Sequence, residues 1–372
     1  MPELFSFGHD VATSQFSKAL ASASSESCSF LFGGIGDARH FYATLIHIAD
    51  FEQTSEPDST RKYHFAINDI MAPTLAKDII IFYMLQELKT SEQDIDESLT
   101  LAAIFYIFCS QIMPPFAYNH LQTTIEAIIK ALDSGRSVLE WLSLGVPERL
   151  AVRKVLVSWK EEAENLCSTF EISAFVVREN EEFRKSQMGI FGEWFEEIPA
   201  GCSKEMALYQ RTAVLYPPGF FLGKYEPSMQ SLIDSYDRSN KMPVKKIKAY
   251  CNASWKVNIT LLDVEGERLR REKGGEFEMA FNPFDAADQL YKTTHLPKPE
   301  HPRSLYDYIA SFFIKTAAAL KYLTGRLIVE GICGELFSVM EKIRYNLVDW
   351  RGNESTAPFP TQFDRIHESN IP

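Results

Sequence analysis

The sequence lacks most marks of a secreted or metal-binding protein. Its six cysteines are scattered along the chain and none forms a C-x-x-C pair, which argues against a disulfide framework and against a zinc site. The first ten residues contain no basic region and no continuous apolar run, so a signal peptide is not expected. Because the cysteines are expected to be reduced thiols and no signal peptide is expected, the sequence predicts a cytosolic protein, with the nucleus as the alternative compartment.

An excess of positive charge and a long apolar run are also missing. The chain has 38 basic and 50 acidic residues, a net charge of -12, so we expect no non-specific binding to nucleic acid or to anionic lipid. The uncharged stretch 99–113 has 15 residues. At about 1.5 Å per residue it reaches roughly 22 Å, short of the ~30 Å hydrocarbon core, and it predicts a buried core helix rather than a membrane span.

The first part of the sequence alternates between strand and helix patterns. After a loose lead-in that predicts at most a short helix, Cys28–Phe32 is a compact apolar run, followed by a glycine turn and by helical spacing over Ala38–Ala49. Tyr63–Ile67 predicts a second buried strand, and Leu75–Leu88 a second helix. The order β-α-β-α over residues 1–90 requires a parallel sheet with right-handed crossovers.

Residues 91–324 follow a different pattern, dominated by helical spacing. Helices are predicted over 95–113, 120–133, 137–144, 147–166 and 304–324. Between them, Trp255–Asp263 alternates in polarity and predicts a half-buried strand. Its predicted partner is 276–281, joined to it through a charge-dense hairpin loop over 265–276.

The alternation of strand and helix returns over residues 325–372. A strand is predicted over 326–332, a helix over 335–343 and another strand over 363–367. The predicted fold class is therefore α/β, with a Rossmann-type parallel sheet. Residues 1–90 and 325–372 build this sheet, and the large, mainly helical insertion 91–324 splits it.

Ligands of such sheets bind outside the carboxyl ends of the strands, and three strand ends carry suitable side chains. The candidate site residues are Gly33, Gly34, Gly36 and Asp37 after the first strand, Asn68 and Asp69 after the second, and Ser369 and Asn370 after the last. The glycines let the backbone approach a ligand closely. Asp69 is positioned to accept hydrogen bonds from a ribose diol.

The glycine turn restricts the kind of ligand. It reads G-G-I-G-D, which departs from the dinucleotide fingerprint at the third glycine, and no G-K-[ST] follows to make a P-loop. Asp37 stands where a pyrophosphate would meet a helix N-terminus, so two negative groups would come together there. S-adenosylmethionine has no phosphate and carries a cationic sulfonium, and it is therefore the predicted cofactor.

Two functions remain open at this point. The first is an S-adenosylmethionine-binding protein, with methyl transfer to an unknown acceptor as its candidate reaction. Alignment of the nucleophile with the sulfonium does most of that chemistry, so few catalytic side chains are expected. The second is a non-catalytic interaction or assembly protein that holds a partner through the aromatic-rich loops 188–194 and 216–221.

Three segments of the sequence resemble a known family. They are FLFGGIGDARH at 30–40, HFAINDI at 64–70 with LAKD at 75–78, and FDRIHESNIP at 363–372. They are similar to the fungal domain of unknown function 4470, which often occurs with a MYND-type zinc finger and is related to the N-terminal domain of axonemal dynein assembly factor three. The resemblance implies a methyltransferase-like fold and no settled activity. The sequence has no Cys/His cluster of MYND spacing, so zinc is not implied.

The sequence stops directly after its fourth predicted sheet strand, where chains of this family continue. A complete seven-stranded methyltransferase sheet would need three more strands with their helices, roughly 60 to 100 residues. We therefore expect either a truncated chain or a reduced version of that fold.

Overall fold

The computed structural model describes residues 8, 10–23, 26–90, 97–161, 166–191, 198–215, 219–239, 241–273, 282–292, 296–347 and 359–369. The strands are β1 (Ser27–Gly33), β2 (Lys62–Asp69), β3 (Ile112–Met113), β4 (Leu142–Leu144), β5 (Lys256–Val257), β6 (Leu327–Cys333) and β7 (Arg365–Glu368). The helices are α1 (Lys18–Ala23), α2 (Arg39–Ser55), α3 (Ala72–Thr90), α4 (Glu97–Cys109), α5 (Pro115–Asp133), α6 (Val146–Glu161), α7 (Thr169–Phe191), α8 (Ser203–Thr212), α9 (Gly219–Tyr225), α10 (Pro227–Ser239), α11 (Val244–Ser254), α12 (Val264–Glu272), α13 (Asp285–Tyr291), α14 (Leu305–Tyr322) and α15 (Leu336–Arg344).

One parallel sheet of five strands, in the order β4-β6-β2-β1-β7, forms the centre of the fold. In its middle, Phe30 of β1 lies opposite Phe65 of β2, and their rings stack with centroids 4.8 Å apart. Both strands are almost entirely buried, which explains why they appear in the sequence as continuous apolar runs. The α/β class and the parallel sheet expected from the sequence are confirmed.

Helices cover both faces of this sheet. Alternate residues of β1 point to opposite faces, so Phe30 and Phe32 join the main core with α2, α3 and α14. Leu31 points the other way and packs in a second cluster with Leu336 and Val339 of α15. Because α2 and α15 lie on opposite faces, the chain passes over one face of the sheet from β1 to β2 and over the other face from β6 to β7.

The strand order reverses at β1. From β1 the chain passes through α2 to β2, and β6 lies further along the sheet in the same direction. Helix α15 then crosses back over the opposite face to β7, which lies on the other side of β1. In open parallel sheets such a reversal leaves a crevice outside the carboxyl ends of the strands, where ligands bind.

The predicted helix 137–144 is wrong. Leu142–Leu144 is instead the edge strand β4, which runs parallel to β6. A segment this short carries too few apolar positions to distinguish a helix from a strand. The stretch 91–324 therefore contributes a strand to the main sheet as well as helices.

The predicted strand 255–263 is extended only at Lys256–Val257, which pairs antiparallel with β3. A 3-10 turn at Ile259–Leu261 follows. Asn258 ends the strand, because its side-chain oxygen accepts from the Thr260 N–H at 3.2 Å and its amide group donates to backbone carbonyls at the end of α4.

The predicted hairpin loop over 265–276 is also wrong where the structure describes it, since Val264–Glu272 is the helix α12. Acidic residues occupy its first turn and basic residues its last turn, each at the helix end whose dipole favours that charge. The dense charge is therefore that of an exposed helix. The predicted partner strand 276–281 lies outside the described residues.

The core helix expected over 99–113 is confirmed over 99–109 as part of α4, which is buried from Thr100 onward. The last two residues of the expected helix, Ile112–Met113, form the strand β3 instead. Across the described ranges, no helix is both long enough and apolar enough to span a bilayer.

Candidate functional site

The glycine turn after β1 is tied to the end of β2. Gly34 and Gly36 have positive φ angles of 65° and 61°, a conformation that favours glycine. The Ile35 N–H donates to the Asn68 carbonyl at 2.9 Å. Gly33 serves packing instead, because a Cβ added there would lie 2.6 Å from Cδ2 of Leu336.

Asp37 is buried in an ion pair and is not free to meet a ligand. Its carboxylate accepts from Nε of Arg39 at 2.8 Å, from Nη2 of the same guanidinium, and from the Gly8 N–H at 3.0 Å. Burial alone would raise the pKa of Asp37, but the charge and hydrogen bonds of Arg39 outweigh it and hold the pKa at about 2. The sequence placed Asp37 correctly at the turn but did not reveal this internal partner.

Asp69 joins the ends of β1 and β2. Its Oδ1 accepts from the Met71 N–H at 2.8 Å, next to the start of α3, and its Oδ2 accepts from the Gly36 N–H at 3.3 Å. Burial raises the pKa of this carboxyl, and these backbone donors oppose the rise. The Thr74 side chain and the Ile70 N–H are further donors to this carboxyl, so a ligand hydroxyl would share Asp69 with donors of the fold.

Asn68 and Ser369 have structural partners on either side of this turn. The Asn68 amide donates to the Gly334 carbonyl at 2.9 Å, which ties β2 to the end of β6. The Ser369 N–H donates to the Gly33 carbonyl at 3.0 Å, which holds the end of β7 beside β1. The structure therefore brings Gly34, Gly36 and Asp69 together and places Ser369 on the other side of β1. Asn370 lies outside the described residues.

Residues 10–16, which we call the N-terminal strap, lie across the β7 side of the reversal point. The Thr13 N–H donates to Nδ1 of His40 at 3.1 Å, and the Gln15 side chain lies 3.2 Å from Nδ1 of His367. Asp10 accepts from the Ser369 hydroxyl at 3.0 Å. The sequence predicted the short helix α1 but described the rest of this segment only as a loose lead-in, which is wrong for the strap.

The strap depends on neutral histidines. The rings of His40 and His367 lie 4.1 Å apart between centroids. Burial, with a smaller contribution from His367, lowers the pKa of His40 to about 4, so the ring is neutral at neutral pH. The hydrogen bond from the Thr13 N–H indicates the tautomer in which Nδ1 is the acceptor.

Three buried polar side chains of the helices that follow β1 and β2 were missed by the sequence prediction: Tyr42 of α2 and Lys77 and Asp78 of α3. All three are fully buried. Burial lowers the pKa of Lys77 to about 8 and raises the pKa of Asp78 well above its usual range. A signal existed in the sequence, because Lys-Asp interrupts an otherwise apolar helix, where unpaired charge is costly.

Acidic groups also occupy the helix starts at this edge of the sheet. Glu335 accepts from the Phe337 and Ser338 N–H groups, both at 2.8 Å, at the start of α15. Glu148, in the first turn of α6, accepts from the Cys333 N–H at 3.4 Å. Asp69 likewise lies just before α3, where its carboxylate accepts from the Met71 N–H. Helix N-termini usually attract anions, but here carboxylates already fill them.

The aromatic segments proposed as partner-binding loops are only partly described. Gly219–Tyr225 is a helix rather than a loop, and Phe221 is buried against Tyr306 with ring centroids 5.9 Å apart. The side chains of 188–191 and residues 192–194 and 216–218 lie outside the described residues. Within the described ranges, no three His, Cys, Asp or Glu side chains come close enough together to hold a metal ion.

A family comparison adds to this geometry. Residues 6–111 match the model of a family described as "Domain of unknown function (DUF4470)". The matched segment contains β1, the glycine turn, β2 and the Lys77-Asp78 pair, and it supports the resemblance noted in the sequence. No curated protein and no solved structure matches this chain.

Proposed function

We propose that this protein binds a phosphate-free adenosyl ligand of the S-adenosylmethionine class, at the edge of the sheet where β1 and β2 end. The observation that carries the proposal is the concentration of buried carboxyls there. Asp37, Asp69 and Asp78 are all at least nine-tenths buried, and the basic groups among them are Arg39 and Lys77. Arg39 neutralises Asp37, and the charge of Lys77 acts on Asp78, so Asp69 is the carboxyl of this group on which no cation of the described residues acts. A pyrophosphate would add negative charge beside Asp69, whereas a sulfonium group would not.

The sheet supports an adenosyl ligand. Its strand order reverses at β1, as in the Rossmann-type, methyltransferase-like fold that the family resemblance implies. The positive φ angles of Gly34 and Gly36 turn the backbone sharply at the end of β1, and Asp69 at the end of β2 is the acceptor proposed for a ribose diol. Methyl transfer is the reaction proposed for such a site, because it depends mainly on alignment.

A second candidate is an interaction or assembly protein that keeps the fold without catalysis. Exposed apolar side chains at the same edge favour it, since Val146 and Leu150 on one side of α6 are 60% and 64% exposed and Phe337 of α15 is 61% exposed. The relation to MYND-containing fungal proteins and to a dynein assembly factor, and a cytosolic or nuclear location, belong to this proposal as expectations from the resemblance.

A panel of ligands tests the two candidates through the melting temperature. S-adenosylmethionine and S-adenosylhomocysteine at about 100 times their dissociation constants should stabilise the chain by ~2.7 kcal/mol, while ATP and NAD should not. Asp69→Asn should reduce the shift, because the variant loses the charge-assisted acceptors. A melting temperature raised by ATP or NAD alone would overturn the adenosyl proposal, and no shift with any ligand would favour the assembly protein.

A further inference from the structure

The N-terminal strap reaches two of the candidate site residues. Just before the strap, the Gly8 N–H donates to the Asp37 carboxylate at 3.0 Å, at the turn after β1. In the strap itself, the Asp10 carboxylate accepts from the Ser369 hydroxyl at 3.0 Å, at the end of β7. The strands β1 and β7 are parallel neighbours, and the strand order reverses here. The chain around the strap therefore crosses the place where an open parallel sheet binds its ligands.

Beyond this crossing the strap follows one side of α2. The Thr13 N–H donates to Nδ1 of His40 at 3.1 Å, and the Gln15 N–H donates to the Thr44 hydroxyl oxygen at 3.0 Å. His40 and Thr44 are one helical turn apart and therefore lie on the same side of α2. Phe16 ends the strap with a side chain that is 3% exposed. The strap is thus anchored in the core at Phe16 and held by polar contacts before it.

Most of the strap lies in the outer layer of the molecule. Ala12 and Phe16 are buried, whereas its other residues are exposed or half-buried. Segments with little buried apolar surface open at a lower free energy than the core does. The strap can therefore leave its position without unfolding the sheet.

The groups that the strap presents resemble those of the proposed ligand. It offers a backbone N–H to Asp37 and a carboxylate to Ser369, and the amino-acid end of S-adenosylmethionine likewise carries N–H donors and a carboxylate. Nη1 of Arg39 also donates to the Asp10 carbonyl at 2.7 Å. A ligand that reached these partners would need the space that Gly8 and Asp10 occupy.

We propose that the strap is an internal competitor of the ligand. It closes the crevice between the ends of β1 and β7, and it has to leave, with Phe16 as its fixed end, before the adenosyl ligand binds. This inference rests on the ligand proposed above and adds to it a regulation of the same site. The apparent dissociation constant is then the intrinsic one divided by the fraction of chains in which the strap is open.

Asp10→Ala tests this competition by removing the acceptor of the Ser369 hydroxyl. Because Asp10 is exposed, the variant should keep its fold while the strap opens more often. Its affinity for S-adenosylmethionine in titration calorimetry should rise at least about threefold. Asp58→Ala, at another exposed acid, is the control for the lost charge and should bind as the wild-type chain does.

Gly8→Ala loosens the same segment without a change of charge. The added Cβ would lie 2.9 Å from Nε of Arg39, and the carboxylate of Asp37 holds that guanidinium in place. The strap side of the contact therefore has to move, and the affinity should again rise at least about threefold. Gly223→Ala, where a Cβ would meet nothing within 4 Å, is the matched control and should leave the affinity unchanged.

Hydrogen exchange follows the strap directly. The Thr13 and Gln15 amides are hydrogen-bonded in the closed strap, so they should exchange faster when S-adenosylmethionine is added to the wild-type chain. Slower exchange would show that the strap closes over the ligand as a wall of the site, and this would overturn the competition.

The calorimetric results separate the failure of this inference from the failure of the proposed function. Binding to Asp10→Ala and Gly8→Ala that is equal to or weaker than binding to the wild-type chain would overturn the competition and leave the adenosyl proposal standing. Binding to the two variants alone would support both. Binding to none of the three chains would overturn both.

Discussion

Asp37 and Asp78 are both fully buried carboxyls of the same cluster, yet their surroundings give them opposite properties. Arg39 holds the pKa of Asp37 at about 2, whereas burial raises the pKa of Asp78. Asp37 therefore carries a permanent charge that stabilises the turn. Asp78 has no hydrogen-bond partner among the described residues.

The structural role of Asp37 predicts a large loss of stability in Asp37→Asn. Removing one member of a buried ion pair leaves the Arg39 charge uncompensated, at a cost of about 3–5 kcal/mol in the free energy of unfolding. Urea unfolding measures it. Asp133→Asn is the matched control, because Asp133 forms a similar pair with Arg153 on the surface, where solvent screens it. Equal effects of the two substitutions would contradict the assigned role of Asp37.

For single residues, the sequence predicted their positions in the fold better than their hydrogen-bond and ion-pair partners. The glycine turn and Asp69 were placed correctly, because strand ends can be located from apolar runs. The ion pair of Asp37 with Arg39, two residues further on, could not be predicted, because it depends on how the turn directs both side chains inward. Lys77 and Asp78 carried a readable signal, a charged pair within an apolar helix.

Among the elements, long and strongly patterned segments were predicted and short ones were not. β1, β2 and α4 follow from apolar runs of distinct length. β4 is three residues long and depends on pairing with β6, a contact between segments far apart in the sequence. The strap has no regular pattern at all, since specific side-chain hydrogen bonds rather than periodicity fix it.

The glycine turn should be needed for the ligand more than for the fold. Gly36→Val places a β-branched residue at φ 61°, which costs of order 1–3 kcal/mol and moves the N–H that Asp69 accepts. S-adenosylmethionine binding should fall at least tenfold while circular dichroism stays near that of the wild type. Gly135→Val, at φ 72° in open space away from the turn, should match the strain and keep the affinity. An unchanged affinity in Gly36→Val would remove the turn from the site.

The strap should loosen in acid. The pKa of His40 in the folded chain is about 4, below its ordinary value of 6.5, so the unfolded chain takes up the proton first. The resulting stability is complete above about pH 6.5 and is lost as the pH falls toward 4, by on the order of 3 kcal/mol. Unfolding measured across this range should show the loss.

Two variants identify His40 as the source of that loss. His40→Asn keeps an acceptor for Thr13 without titrating, so it should remove most of this pH dependence. His301→Asn, at an exposed histidine, should leave the pH dependence as in the wild type. The same slope in His40→Asn as in the wild-type chain would show that other groups cause the loss.

At the scale of the whole molecule, the split sheet was predictable in outline. Alternating strand and helix patterns at both ends of the sequence predict one parallel sheet, and the structure has it. The helical stretch between them is more closely joined to the sheet than its sequence indicates. It supplies the edge strand β4, and α14 packs in the main core with α2 and α3.

The fold and the charges at its carboxyl edge support the same ligand class. The proposed site lies where the strand order reverses at β1, and the buried carboxyls there are the reason that we propose a cationic ligand without phosphate. The central claim is therefore that this chain binds S-adenosylmethionine at the ends of β1 and β2.

Titration calorimetry of the wild-type chain with S-adenosylmethionine, and in parallel with NAD, tests that claim most directly. We expect saturable binding of S-adenosylmethionine with one ligand per chain, and no heat of binding with NAD. Binding of NAD without S-adenosylmethionine would contradict the electrostatic reasoning, and binding of neither would contradict the site itself.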